Sequence, residues 1–278
     1  MQYEQDELRG LQMVELGILR EIDRVCREYG IRYFLDSGTL LGAVRHGGFI
    51  PWDDDVDVGM LRPDYERFLE VAPKALGEGY VVCEPRANPC CAGMFAKVWK
   101  RGTKFFTAET MEAGIDQGIF VDVFPYDVLH ADENVAARQL RWCRAWQSAS
   151  YLLHARHVTV PHGGVLGVLE RGACAVAHAG SKMLLSHKRV VDSFEAWALR
   201  GVDQPGDDYM NMAYVTDSAF PEDVLAPASE MLFEGFSFFA PAQVESYLER
   251  AYGSSWRELP PVEERRNHAP IELDFGSD

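Results

Sequence analysis

Asp53, Asp55 and Asp57 recur at alternate positions in the run Trp52-Asp53-Asp54-Asp55-Val56-Asp57-Val58-Gly59. Extended backbone sends alternate side chains to one face, so this spacing predicts two or three carboxylates on a single surface. Like charges that close raise one another's pKa and oppose folding unless a cation lies between them. Hard oxygen donors on a rigid strand suit Mg²⁺ or Mn²⁺. Asp55 and Asp57 are therefore the first expected metal ligands. Asp53 joins them if the strand begins early, but the Pro51-Trp52 bracket equally allows a turn there, and Asp54 points away.

Upstream, Ser37-Gly38-Thr39 forms a small polar turn before a helix-like run over 40–46. Backbone N–H groups at such a helix start can hold a phosphate. Gly38 permits close approach, and the Thr39 hydroxyl can donate to a phosphate oxygen. A phosphate cradle followed by an acid-bearing strand is the layout of a nucleotidyltransferase-type site. In phosphoryl transfer the protein mostly positions reactants and neutralises charge, and two metal ions about 4 Å apart can clamp the attacking and leaving oxygens. A solvated acidic turn is the competing reading of three adjacent aspartates. The Asp/Val alternation and the Gly-Thr turn weigh against it.

Such a site usually draws a third carboxylate from a neighbouring strand. Asp122 fits, being the single acid in Phe120-Val121-Asp122-Val123-Phe124, where burial without a partner costs several kcal/mol. An edge-strand aspartate facing water is the alternative. Arg45, His46 and Lys97 are the candidate cations for the leaving nucleotide. For Lys97 the bland reading is a snorkelling surface lysine, and for Arg45 an ion pair within its own loop. Asp36 ends a strand beside the Gly-Thr turn and can cap it, while Asp127, after Pro125, reads as structural. The histidines at 130, 154, 157, 162, 178 and 187 lack ligand spacing, and the pair in 154–157 reads as surface. No GxSxG, HExxH or GxxxxGK[ST] occurs, which removes the common hydrolase, zincin and P-loop readings.

The elements that must position these groups follow an α/β order. Leu8, Leu11, Val14, Ile18, Ile22, Val25 and Tyr29 recur at helical spacing, with Gly30 as the stop. Strands are expected over 31–36, 56–60, 80–83, 94–99, 104–107 and 118–124, the last ending at Pro125. Helices are expected over 40–46 and from Pro63. From 131 to 199 the composition turns to Ala, Leu, Arg and His with helical spacing, including runs over 165–185 and 190–199. Strands over 209–216, 231–233 and 236–239 and a helix over 242–252 complete the chain. The expected fold is α/β (α+β), a mixed sheet flanked by helices. A catalytic core would occupy 1–130, a helical insert 131–200, and a segment completing the core 201–278.

The chain has 278 residues, 47% of them hydrophobic and 12% aromatic, enough for a substantial core. A net charge of −16 opposes nucleic acid or an anionic membrane as the main partner. An anionic nucleotide would then need a metal to mediate its binding. The six cysteines, at 26, 83, 90, 91, 143 and 174, show no CxxC pair and no regular disulfide spacing, so free thiols in a reducing cytoplasm are expected. The first ten residues lack the basic start and apolar core of a signal peptide. No run of about eighteen apolar residues is present to span a membrane.

The stretch GTLLGAVRHGGFIPWDDDVDVGMLRPDYERF resembles the signature of the LicD family, phosphotransferases of the nucleotidyltransferase fold that include fukutin-related proteins. The likeness extends to the preceding helix, to GIFVDVFPYD at 118–127, and to LFEG, YLERAYG and PPVEERRNH near the end. It covers roughly half the chain, with a gap in the middle. The resemblance implies transfer of a phospho-alcohol such as phosphocholine from a CDP-alcohol donor, for instance CDP-choline, to a hydroxyl of a cell-surface glycan or glycolipid such as lipopolysaccharide or teichoic acid. It implies Mg²⁺ or Mn²⁺ at Asp55, Asp57, Asp122 and Asp53, with Asp122 also able to take the proton of the attacking hydroxyl. It makes His268 a candidate to reach the site. A cytoplasmic protein, peripheral at the inner membrane face where its acceptor is lipid-linked, is the matching expectation. A nucleotidyltransferase moving NMP from an NTP is the rival enzyme, and a non-catalytic scaffold the rival of another class.

Overall fold

The computed structural model describes residues 3–155, 174–175, 178–215, 218–265 and 267–276. Helix α1 (Gln5–Tyr29) buries Leu11, Ile18, Ile22 and Val25, the stripe that its 3.6-residue spacing dictates. It ends at Gly30, whose φ of 66° lets its N–H reach the Cys26 carbonyl. Strand β1 (Phe34–Leu35) leads into α2 (Ser37–His46), then β2 (Asp57–Leu61) and α3 (Arg62–Ala75). Strands β3 (Tyr80–Cys83), β4 (Ala96–Lys100) and β5 (Lys104–Phe106) follow, then the short α4 (Ala108–Ala113) and the long β6 (Phe120–His130). Helices α5 (Glu133–His154) and α6 (His187–Ala198) precede β7 (Pro205–Asn211), β8 (Phe220–Pro221) and α7 (Glu222–Leu225). The hairpin β9 (Ser229–Phe233) and β10 (Phe236–Ala240), helix α8 (Val244–Tyr252) and β11 (Glu272–Asp274) close the order.

The main sheet runs β1-β2-β6-β4-β3, with β7 added along the second half of β6 and β8 beyond it. Among the described residues only β2 and β6 pair in parallel; their register sets Asp57 opposite Asp122 and Val58 opposite Val123. The fold is thus α+β, a mixed sheet flanked by helices. Val56, Val58, Val121 and Val123 are fully buried, which fixes the face toward the core and turns the intervening acids to the other side.

The strand expected over 118–124 does not stop at Pro125 but continues to His130. Proline is tolerated because neighbours change there: β4 pairs with residues 120–123, and β7 takes over at Tyr126. The strand expected over 31–36 shortens to two residues, since β1 meets only Gly59 and Val58 of β2. Strand β7 lies earlier than the expected 209–216. Strand β11, pairing with β5, and α4 had no clear sequence signal.

Asp127 proves structural, its carboxylate taking two 2.7 Å bonds from the half-buried Arg62 guanidinium. Helices α5 and α6 stack Trp142 on Trp197, and the buried Gln139 amide of α5 donates to the carbonyls of Val128 in β6 and Ala198 in α6. Most of the helical run expected over 165–185, together with His157 and His162, lies outside the described residues. In the β9–β10 turn Glu234 and Gly235 both take positive φ, and Glu234 holds Arg9 of α1 at 2.6 Å.

Candidate active site

The loop 53–56 leads into β2, and Asp55 and Asp57 both line one cavity of about 990 Å³. Asp122 lines it too, from the adjoining strand. Burial, then Asp55 and Asp122, push the Asp57 carboxyl well above the ordinary range. Burial likewise raises Asp122, against the pull of Lys97, and lifts Asp55 to about 6 against the pull of His268. Acids held this way favour protons or a cation over a bare negative charge.

Lys97 is the register partner of Asp122 on its other side, and its Nζ lies 2.5 Å from Asp122 Oδ1. The ammonium also sits 3.6 Å from the Phe120 ring centre. It is a cavity wall residue, not a snorkelling surface lysine.

Asp54 points away from the cavity, is fully buried, and accepts from the backbone N–H groups of His268 and Ala269 and from Tyr3 Oη at 2.7 Å. Burial alone would raise its pKa, but the bonds from His268 and Tyr3 prevail and lower it. This clamp brings the terminal segment over the acids: His268 lines the cavity, with Nδ1 3.1 Å from Asp54 and 3.5 Å from Asp55. The Asp54 bond, ahead of the opposing effect of burial, raises the imidazole to about 9.

Helix α2 begins at Ser37, three residues earlier than the expected 40–46, so the Gly-Thr turn is its first turn. Its cap, Asp36, accepts from Ser37 N at 2.8 Å, from Tyr126 Oη at 2.9 Å and from Tyr247 Oη. Ser37 lines the cavity. Gly38 faces Asp53: a Cβ there would stand 2.8 Å from the Asp53 carboxylate. Burial and the neighbouring Asp55 raise Asp53 to about 8. The Thr39 hydroxyl is buried and accepts from Asp57 N at 2.9 Å, tying helix to acid strand. Arg45 and His46 occupy the last turn of the 10-residue helix, roughly 12 Å along the axis from its start.

Asp55, Asp57, Asp122, Lys97 and His268 therefore share the cavity. Asp53, Gly38 and Thr39 stand against its acid loop, and Arg45 and His46 lie beyond it. Among the described residues no group of three or more aspartate, glutamate, cysteine or histidine side chains is placed to hold a metal ion. A Mg²⁺ site seldom needs one, since one or two carboxylates plus substrate phosphates and water suffice.

Sequence reasoning missed Glu15. It is fully buried in α1, neither carboxylate oxygen has a hydrogen-bond partner, and burial and Asp55 push its pKa far up. An acid between Val14 and Leu16 on an otherwise apolar helix face was the available signal. The aromatic wall of Phe220, Tyr247 and Tyr252 was also unread. Among the described residues Cys83 and Cys91 bring their sulfurs side by side, while Cys26, Cys90, Cys143 and Cys174 are free. Turns at Glu84–Ala87 and Asn88–Cys91 fold the intervening loop back, which spacing alone does not show.

A helix start beside acids on two adjoining strands defines a nucleotidyltransferase-type domain. Residues 30–149 match the family model described as "LicD/FKTN/FKRP, nucleotidyltransferase domain". The chain is 41% identical over 123 residues to the lipopolysaccharide cholinephosphotransferase LicD of Haemophilus influenzae, covering 43% of this chain and 44% of that one. It is 51% identical over 53 residues to the human ribitol 5-phosphate transferase FKRP, 18% of this chain and 11% of that one. The chain thus spans less than half the length of either relative. Among the described residues no helix is long and apolar enough to cross a membrane.

Proposed function

We propose that the protein transfers a phospho-alcohol, such as phosphocholine, from a CDP-activated donor to a hydroxyl of a cell-surface glycan. The observation that carries this is the pairing of Asp57 with Asp122 across adjoining strands, with Asp55 in the same cavity beside the start of α2. The names of the relatives, a cholinephosphotransferase and a ribitol 5-phosphate transferase, support a phospho-alcohol as the group moved.

Hard carboxylates with raised pKa values line one cavity, a chemistry that suits a divalent ion completed by substrate phosphate and water. Asp55, Asp57 and Asp122 would hold Mg²⁺ or Mn²⁺, with Asp53 behind them. Such an ion, when bound, neutralises phosphate charge and orients the oxygens. Ser37, at the α2 N-terminus, would meet the donor diphosphate, with Gly38 and Thr39 behind it holding the acid loop in place. Asp122 takes the proton of the acceptor hydroxyl as its oxygen attacks the distal phosphorus, and the bond to the bridging oxygen breaks to release CMP. Lys97 holds Asp122 in place, and His268, beside Asp55, meets the phosphate. An acceptor on a lipid carrier would place the protein at the inner membrane face.

The test is incubation of the full chain and a hydroxyl-bearing glycan acceptor with CDP-choline, CDP-ribitol or CTP, with and without Mg²⁺, and analysis of the small products. Metal-dependent CMP release from a CDP-alcohol is expected. Pyrophosphate from CTP, with no CMP from any CDP-alcohol, would instead identify a nucleotidyltransferase.

A further inference from the structure

Glu234 occupies the two-residue turn between β9 and β10, where Phe233 pairs with Phe236. It takes a φ of 52° and Gly235 one of 80°. Two positive φ values fit the type I′ turn, whose first position favours asparagine, aspartate or glycine. A long side chain held there against backbone preference points to a task for that side chain.

The Glu234 side chain reaches the segment that joins α2 to the acid run. Its Oε1 accepts from Phe49 N at 3.1 Å, and its own N–H donates to the Gly47 carbonyl at 2.9 Å. A Cβ at Gly48 would collide with the carboxylate, so the glycine is what lets it come this close. The other oxygen continues the chain of bonds: Arg9 reaches Glu234 Oε2 at 2.6 Å and Gln12 Oε1 at 3.2 Å. The buried Gln12 amide in turn donates to the Asp53 carbonyl at 2.9 Å. An ion pair as open to solvent as Arg9 and Glu234 adds little stability by itself. What the network does is grip residues 47, 49 and 53 from outside the cavity. Its far end bears on the site, because Asp53 sets its carboxylate against Gly38 and Asp55, two residues on, lines the cavity.

We propose that Glu234 is a positioning residue for the transfer reaction: from the β9–β10 turn it fixes, through Phe49 on one side and through Arg9 and Gln12 on the other, the segment that delivers Asp53 and Asp55. This rests on the cavity being the transferase site. Glu234 touches no reacting group. Its effect is on where the acids stand, and a displacement of about 1 Å in such groups lowers turnover by on the order of 10²-fold.

Glu234→Asn separates this role from a structural one, because asparagine suits the turn but is too short to keep the bonds to Phe49 and Arg9. Its Tm should equal or exceed that of wild type. Its kcat with CDP-choline, Mg²⁺ and a glycan acceptor should fall at least about tenfold, with the donor KM held within about twofold. Glu234→Gln keeps an acceptor for Phe49 N and should lose less. Hydrogen exchange read by mass spectrometry needs no turnover: the amides of 49–55 should exchange at least about tenfold faster in Glu234→Asn. They should keep the wild-type rate in Lys188→Gln, which breaks a 2.7 Å surface pair with Asp192. Wild-type kcat or wild-type exchange in Glu234→Asn overturns the proposal, as does a loss of turnover that resides in KM or is matched by a fall in Tm. If Glu234→Asn fails to fold, Arg9→Gln cuts the same network at a half-exposed side chain and is judged by the same readouts. Faster exchange in Glu234→Asn, in a chain whose wild type turns over no CDP-alcohol, would sink the proposed transferase and leave the hold of Glu234 on the segment standing.

Discussion

Asp57 and Asp122 are register partners across the parallel pair of β2 and β6, and both open into the same cavity. Each is raised by burial, and Asp57 also by Asp122 itself. Removing one charge should therefore relieve the fold while harming the chemistry. Asp57→Asn is expected to lower Mg²⁺-dependent turnover by on the order of 10²–10³. Its Tm without divalent ions should hold or rise, and the Mg²⁺-induced gain in Tm should vanish. A normal metal response in the variant would remove Asp57 from the ligand set.

Glu15 gives a pH test with a definite sign. Its folded pKa lies well above the ordinary 4.5, from burial first and the nearby aspartates second. The contribution of the protonated form is complete below the unfolded pKa and is lost as pH rises through the folded one. Glu15→Gln keeps the shape and cannot ionise, so its Tm advantage over wild type should grow from pH 5 to pH 8, by about 2–4 °C for each kcal/mol gained. Melting curves at both pH values check this, and an advantage that shrinks with pH would contradict it.

The acid strand, the capped helix before it and the apolar strand holding Asp122 were legible because period-2 and period-3.6 patterns report which face is buried. The pairing of Lys97 with Asp122 was not, since it depends on β4 lying next to β6, an order that local periodicity does not encode. The clamp from Asp54 to His268 spans 214 residues. Nothing near either residue announces it, although an aspartate on the apolar side of the acid run needed a buried partner. The extension of β6 past Pro125 was hidden for a similar reason, because the change of neighbour that makes the proline tolerable is a property of the sheet.

That clamp predicts how the terminal segment is held. Asp54→Ala leaves the N–H groups of His268 and Ala269 and the Tyr3 hydroxyl without their acceptor. A loss of about 3 kcal/mol is expected, because the bonds are to a charged group. Limited proteolysis should cut the last ten residues faster in the variant, and the His268 imidazole resonance should move toward its solvent position. Unchanged cleavage and an unchanged resonance would show that the segment is held elsewhere.

Gly59 predicts a cost inside the sheet. A Cβ there would stand 2.3 Å from the Phe34 ring and 2.9 Å from the Tyr126 ring. Gly59→Ala should destabilise by about 1–3 kcal/mol through overpacking. Because Tyr126 holds Asp36 at the cap of α2, activity should fall more than the global Tm implies. Denaturant unfolding beside a turnover assay separates the two effects.

Lys97 and Asp122 allow a double-mutant cycle. Lys97→Met leaves a carboxylate that is only 8% exposed without its cation, and such losses cost about 3–5 kcal/mol. Adding Asp122→Asn removes the stranded charge, so the double variant should regain most of that stability. If Asp122 also holds a divalent ion, Mg²⁺ should stabilise Lys97→Met more than wild type, because the ion supplies the charge that the ammonium gave up. The same addition should do nothing for the double variant. Equal Mg²⁺ responses in Lys97→Met and the double variant would mean that Asp122 serves the lysine alone and that any metal rests on Asp55 and Asp57.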